Sequence, residues 1–208
     1  MTRLALRIGI VALAALGLWQ LGAGAYIHAK AWLAQQLIAS AWARTLAGEA
    51  NVRPWPWADT WPVARLQVPE AGVDLYVLAD ASGRSLAFGP GHVSGTAPLG
   101  SSGHSMLAAH RDTHFRFLRS LPVGARLWLE TADGRRRPWR LVETHVFDVR
   151  HQRLMVPDDM PTLTLLTCYP FDALAPGGPL RYAAIAEPLT SPVSGRLEVS
   201  ANSGFVGR

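Results

Sequence analysis

Cys168 is the one cysteine in a chain of 208 residues. A thiol attacks a carbonyl as the thiolate, so a reactive Cys168 needs a partner that takes its proton or stabilises its charge. Seven histidines could serve: His28, His92, His104, His110, His114, His145 and His151. His110 ends the apolar run Met106-Leu107-Ala108-Ala109 and leads into Arg111-Asp112-Thr113. Acyl transfer also needs positive charge or N–H donors where the oxyanion develops. Arg181 follows a Pro/Gly turn thirteen residues after Cys168, at the start of a β-prone run. Cys168, His110 and Arg181 together would suit nucleophilic acyl transfer. Each also has a plain reading: a free cysteine is among the most often buried residue types, and an isolated arginine is usually a surface residue.

The elements that must carry these groups are short strands. Cys168 closes the run Thr162-Leu163-Thr164-Leu165-Leu166-Thr167, and Pro170 stops a central strand just beyond it. That puts the thiol at a sheet rim, within reach of a substrate. His110 is likewise at a strand rim. His104, His92, His145 and His151 read as solvated or structural. Strands are expected at 64–68, 73–78, 91–93, 105–109, 126–129, 139–147, 163–167 and 181–186. The turn signals are Pro69-Glu70-Ala71-Gly72, Ser82-Gly83, Gly89-Pro90-Gly91, Asp133-Gly134 and Pro176-Gly177-Gly178-Pro179. A short helix is expected over 115–121. Eight short strands with few helices predict a mainly β domain, a barrel or sandwich, over 64–189. Residues 190–208 read as a loose Ser/Gly tail.

The N-terminal part has a different character. Arg3 and Arg7 precede an apolar stretch over 8–27 in which Gln20 is the only strongly polar residue. About twenty such residues cross a bilayer core, and flanking positive charge keeps the N-terminus cytoplasmic. Ala23-Gly24-Ala25 would equally suit a signal peptidase. Helical spacing of Trp32, Leu33, Leu37, Ile38, Ala41 and Trp42 carries the pattern onward, which favours a retained anchor and juxtamembrane helix over 1–50. Prolines 54, 56 and 62 with Trp55, Trp57 and Trp61 make 51–63 a linker lying against the domain or a strap near the site.

Composition narrows the classes. The chain is 49% hydrophobic, which excludes disorder, and carries a formal net charge of +5. Its arginines are scattered; the one tight run, Arg135-Arg136-Arg137, follows an Asp-Gly turn, so nucleic-acid binding is not indicated. His110 and His114 have H-x-x-x-H spacing, but Arg111 stands where a zinc-protease helix carries Glu and no third ligand is evident, so no metal is expected.

The motifs resemble one family. Thr164-Leu165-Leu166-Thr167-Cys168 is similar to the sortase signature TLxTC; the segment 109–115 resembles that around the sortase histidine, and Leu180-Arg181-Tyr182 that around the sortase arginine. The order His, Cys, Arg is the sortase order, and the likeness covers 62–189. This resemblance implies an eight-stranded sortase β-barrel with short helices, preceded by a transmembrane helix, and needing no cofactor. It implies transpeptidation: a secreted protein's C-terminal sorting signal is cleaved through a thioester on Cys168 and passed to an amine acceptor in the cell envelope. His110 would be the acid/base, Arg181 the oxyanion stabiliser, and Thr167 a substrate-holding residue. The catalytic domain would be extracytoplasmic. The Arg- and Ala-rich composition resembles that of the smaller proteobacterial sortase group, which would put it in a periplasm. The 51–63 strap departs from the well-known Gram-positive classes; Asp59 and Trp61 are faintly similar to the lid of pilin-polymerising members. Papain-like enzymes carry Cys before His, and L,D-transpeptidases carry Arg two residues after Cys, where this chain has Pro170. The other reading is a membrane-anchored non-catalytic β-domain that binds an envelope partner.

Overall fold

The computed structural model describes residues 2–152, 154, 160–173, 175 and 177–189. The expected tail over 190–208 and Pro176 of the predicted turn lie outside them. Eight strands form: β1 (Pro62–Val68), β2 (Val73–Leu78), β3 (Gly91–His92), β4 (His104–Ala108), β5 (Arg126–Thr131), β6 (Arg136–Asp148), β7 (Thr162–Cys168) and β8 (Leu180–Pro188). They close into one barrel in the order β1-β2-β3-β4-β7-β8-β6-β5. All eight expected strands are present. β2 keeps the expected limits, β3 is one residue shorter and β4 begins and ends one residue earlier, while the other five run further, most of all β6, because pairing with β5 and β8 extends a strand past its apolar residues.

Side-chain alternation builds the core. In β1, Ala64, Leu66 and Val68 are wholly buried, while Arg65 and Gln67 face outward. Leu127 and Leu129 of β5, Leu107 of β4, Leu163 and Leu165 of β7, and Ala184 and Ala186 of β8 meet them inside the barrel. Outside, Arg65 pairs with Asp74 across β1 and β2 at 2.6 Å. β3 comes so close to the end of β2 that a Cβ at Gly91 would sit 2.1 Å from the Asp80 carbonyl oxygen, so no side chain fits there. The helix expected over 115–121 is a single 3₁₀ turn, Arg116–Arg119; it is kept by burial of Leu118, with the neighbouring Phe115 also buried.

One unbroken helix, α1 (Thr2–Leu46), precedes the barrel. It stops before the predicted limit of residue 50, because Gly48 takes a positive φ of 98° and donates its N–H to Thr45. Ala34, Ile38, Ala41, Trp42 and Thr45 are buried at helical spacing, so the last turns of α1 pack on the domain. Gln35 Nε2 donates to the Phe88 carbonyl at 2.8 Å and pins the same region. Residues N-terminal to this face stand clear, with Leu13, Leu18, Trp19 and Leu21 exposed. α1 is long and apolar enough to cross a membrane. The segment after it lies on the domain: Val52 and Ala58 are buried, and Trp55 meets Phe88 edge-on at 5.1 Å between ring centroids.

Candidate active site

Strand register sets Cys168 opposite Arg181 and runs the end of β4, which precedes His110, alongside β7. β4 and β7 run parallel with Ala108 beside Leu166, and β7 and β8 run antiparallel with Leu166 opposite Ala183. Ala108, Leu166 and Ala183 therefore form one row across three strands. Leu163 and Leu165 point into the core, so by alternation Leu166 and Cys168 point out of the barrel. Two residues further along the same face of β7 and β8 are Cys168 and Arg181, while His110 follows the end of β4 by two residues. Cys168 is directly opposite Arg181 in the ladder. The Tyr169 N–H donates to the Leu180 carbonyl at 3.0 Å. That makes the adjoining Cys168–Arg181 pair the closely spaced kind, with Cβ atoms roughly 4.5–5.5 Å apart. On the other side the Ala109 N–H donates to the Leu166 carbonyl at 3.2 Å, which carries the β4–β7 pairing up to His110.

Exposure suits the chemistry. Cys168 is half-buried and free, His110 is exposed, and Arg181 is half-buried. Arg181 Nη1 donates to the carbonyls of Gly178 and Leu180 at 2.7 and 2.9 Å, which ties the guanidinium to its own turn. Three of its five N–H groups are not needed for those bonds. Tyr169 stacks on Tyr182 and Phe171 meets Tyr182 edge-on, so aromatic packing holds the strand ends on either side of the thiol.

Thr167 points the other way. It is buried, and its hydroxyl donates to the Ala109 carbonyl at 2.7 Å. Its side chain thus locks the end of β7 to the residue before His110. His114, four residues after His110, is held below the ordinary histidine range, chiefly by burial and then by repulsion from a charged His110. His104 is buried with its Nε2 2.8 Å from the Thr164 hydroxyl, a structural placement. His92 bonds the Ala97 carbonyl, and His145 pairs with Glu143 on the surface. Among the described residues no group of three or more His, Cys, Asp or Glu side chains gathers as a metal site.

One contributor escaped the sequence reading. Arg111 Nη2 donates to the carbonyls of Ala173 and Ala175 at 2.8 and 3.1 Å. It clamps the loop that carries His110 onto the loop that follows Cys168. Its partners are backbone atoms more than sixty residues away, and no side-chain pattern announces them.

The comparisons with known proteins bear on the family and the fold. A family model described as a Sortase domain matches residues 66–189. Sortase D of Bacillus subtilis (strain 168) is 27% identical over 126 residues, covering 60% of this chain and 63% of that protein. The chain therefore spans just under two thirds of that relative's length. Sortase A from Corynebacterium diphtheriae superposes with a TM-score of 0.57 at 21% identity, covering 66% of this chain and 65% of that one. A Clostridium perfringens sortase D5 transpeptidase gives a TM-score of 0.55 at 23% identity, covering 72% and 87%. At those identities the two structures establish the likeness of fold.

Proposed function

The chain belongs to the sortase family, and from that premise we propose that it is a membrane-anchored cysteine transpeptidase whose centre is His110, Cys168 and Arg181. The observation that carries the reading is the cross-strand pairing of Cys168 with Arg181. It puts a cation beside the only thiol, where an acyl oxyanion would form.

The steps follow from this placement. The Cys168 sulfur attacks the scissile carbonyl carbon of a sorting peptide, and the carbonyl oxygen takes the negative charge against Arg181. As the C–N bond breaks, His110 gives a proton to the leaving amine and a thioester remains on Cys168. An incoming amine then loses a proton to His110, attacks the thioester and releases the thiolate. The proton spent in the first half is regained in the second. The half-buried Ala108 and Leu166, paired on β4 and β7, line the approach to the thiol in this reading. Thr167 and Arg111 act as positioning residues, through Ala109 and through the loop after Cys168.

The substrate in this reading is a secreted protein with a C-terminal sorting signal, and the acceptor is an amine of the cell envelope. Arg3 and Arg7 ahead of the apolar helix support a cytoplasmic N-terminus and an extracytoplasmic barrel. The Arg- and Ala-rich composition supports a proteobacterial origin and a periplasmic site.

The test is intact mass spectrometry of the full chain in detergent with a library of C-terminal peptides. An acyl adduct on Cys168 that passes to an added amine is the expected result. It should vanish in Cys168→Ala and fall at least 100-fold in His110→Ala and Arg181→Ala, the range of general acid–base and oxyanion effects. No adduct with any peptide, together with thiol labelling only after denaturation, would make Cys168 structural and the domain a non-catalytic binder.

A further inference from the structure

The apolar cleft between α1, the Trp/Pro segment and the loop before β3 is not the only concave surface of the domain. A polar groove of about 630 Å³ opens between the start of β2 and the turns that follow β4. Residues 71–75 line one side, and His114, Arg116, Phe117 and Arg119 line the other. No step of the proposed reaction uses it.

Its place in the fold ties it to the proton carrier. In the sheet order β2-β3-β4-β7, the groove is on the β2 side of β4 and the thiol on the β7 side. The chain leaving β4 passes through Ala109 and His110, and the Phe115 N–H then donates to the His110 carbonyl at 3.0 Å, closing a turn. His114 is inside that turn; it lines the groove and feels the charge on His110. A single turn of chain therefore reaches from the acid/base of the proposed reaction to the wall of the groove. The leaving amine and the entering amine both exchange a proton with His110, so the entering amine must approach on the His110 side of the thioester.

The groove is cationic. Arg116 and Arg119 are exposed and three residues apart on one 3₁₀ turn, so they share a face. Among the described residues no carboxylate is within ion-pair distance of either. Asp74, the acidic residue lining the groove, already accepts from Arg65 at 2.6 Å and from Gln67 at 3.1 Å. Two guanidinium groups without a counter-charge draw anions to this wall. They also disfavour an ammonium ion, so an amine held beside them is favoured in the neutral form that attacks a thioester.

On the premise of that transpeptidation, we propose that this groove holds the amine acceptor, and that Arg116 and Arg119 select an acceptor bearing a carboxylate close to its amine. In the transfer the amine gives one proton to His110, its nitrogen bonds to the acyl carbon, and the carbon–sulfur bond breaks to return the Cys168 thiolate. The carboxylate makes and breaks no bond; ion pairing holds it and orients the amine.

The test loads the thiol without a sorting peptide. Cys168 is the one cysteine, so the thiophenyl ester of hippuric acid leaves a single hippuryl thioester on the full chain in detergent as thiophenol departs. Equal amounts of glycyl-glutamate α-amide, glycyl-glutamine amide and glycyl-lysine amide then compete for it, and the products are counted by mass spectrometry. The glutamate product should exceed the glutamine product about threefold or more at low salt, the range of exposed ion pairs. That preference should fade in about 1 M salt. The double variant Arg116→Gln/Arg119→Gln should bring the two products level, and Arg116→Glu/Arg119→Glu should turn the preference to the lysine acceptor. Each ratio is internal to one sample, so the variants need not be equally active. Level products in the unaltered chain, or a glutamate preference that survives both double variants, would overturn the proposal and leave transpeptidation standing. Transfer no faster than in His110→Ala, or a thiol that loads only after denaturation, would remove the reaction and the proposal together.

Discussion

At the residue scale the sharpest feature is the pair of histidines His110 and His114, which interact electrostatically. His114 is held low by burial first and by a charged His110 second. An NMR titration should therefore give His114 a midpoint below the ordinary value of about 6.5. In His110→Ala the midpoint should move upward yet stay below that value, because burial remains. The linkage has a definite sign. Between the folded midpoint and about pH 6.5 the unfolded chain binds a proton at His114 that the folded chain does not. The stability from keeping His114 neutral is thus complete above about pH 6.5 and is lost as the pH falls toward the folded midpoint. Under the proposed function His110, not the half-buried His114, carries the proton. A His114 midpoint indifferent to His110→Ala would separate the two rings.

At the scale of elements, the site depends on how the ends of β4, β7 and β8 are tied together. Thr167 is the tie between β7 and the residue before His110. Thr167→Val keeps the shape but leaves the Ala109 carbonyl without this donor, at a cost of about 1–3 kcal/mol. The expected result is a thermal midpoint lower by several degrees and a slower Cys168 acylation, since His110 loses its fixed position. An unchanged acylation rate would show that the β4–β7 ladder alone sets His110. α1 illustrates a second element-level rule. Its N-terminal part is apolar all round and stands exposed, whereas its C-terminal turns bury a single stripe from Ala34 to Thr45. One helix thereby serves two environments without a break.

At the scale of the whole molecule, closure of the barrel is what brings distant segments together. Sheet order places β7 between β4 and β8, so Cys168 meets Arg181 across one ladder and the end of β4 lies along the other side of β7. The interior that supports this is continuous, and Leu66 is wholly buried in it. Leu66→Ala should destabilise the chain by about 2–5 kcal/mol, read as a lower midpoint in chemical unfolding in detergent, while Cys168 remains acylable below the transition. Loss of acylation in the folded variant would mean that core packing reaches the site more directly than the ladders suggest.

What the sequence determined by itself follows from local rules. Period-two alternation and turn residues mark strands wherever they occur, and all eight were legible. Pro170 marks the end of β7, so a thiol at a strand end is visible before any fold is known. The TLxTC run and the order of His, Cys and Arg carried the family. What only the tertiary structure decided is relational. The closely spaced pairing of Cys168 with Arg181 depends on register, which no single strand encodes. The turn of Thr167 toward Ala109 follows from which face of β7 meets the core, and a run buried on both faces conceals that choice. The Arg111 clamp joins a side chain to backbone carbonyls, and every residue type has those, so composition and spacing are blind to it. The cleft beside α1 exists only because a helix, a proline-rich segment and a loop meet in space.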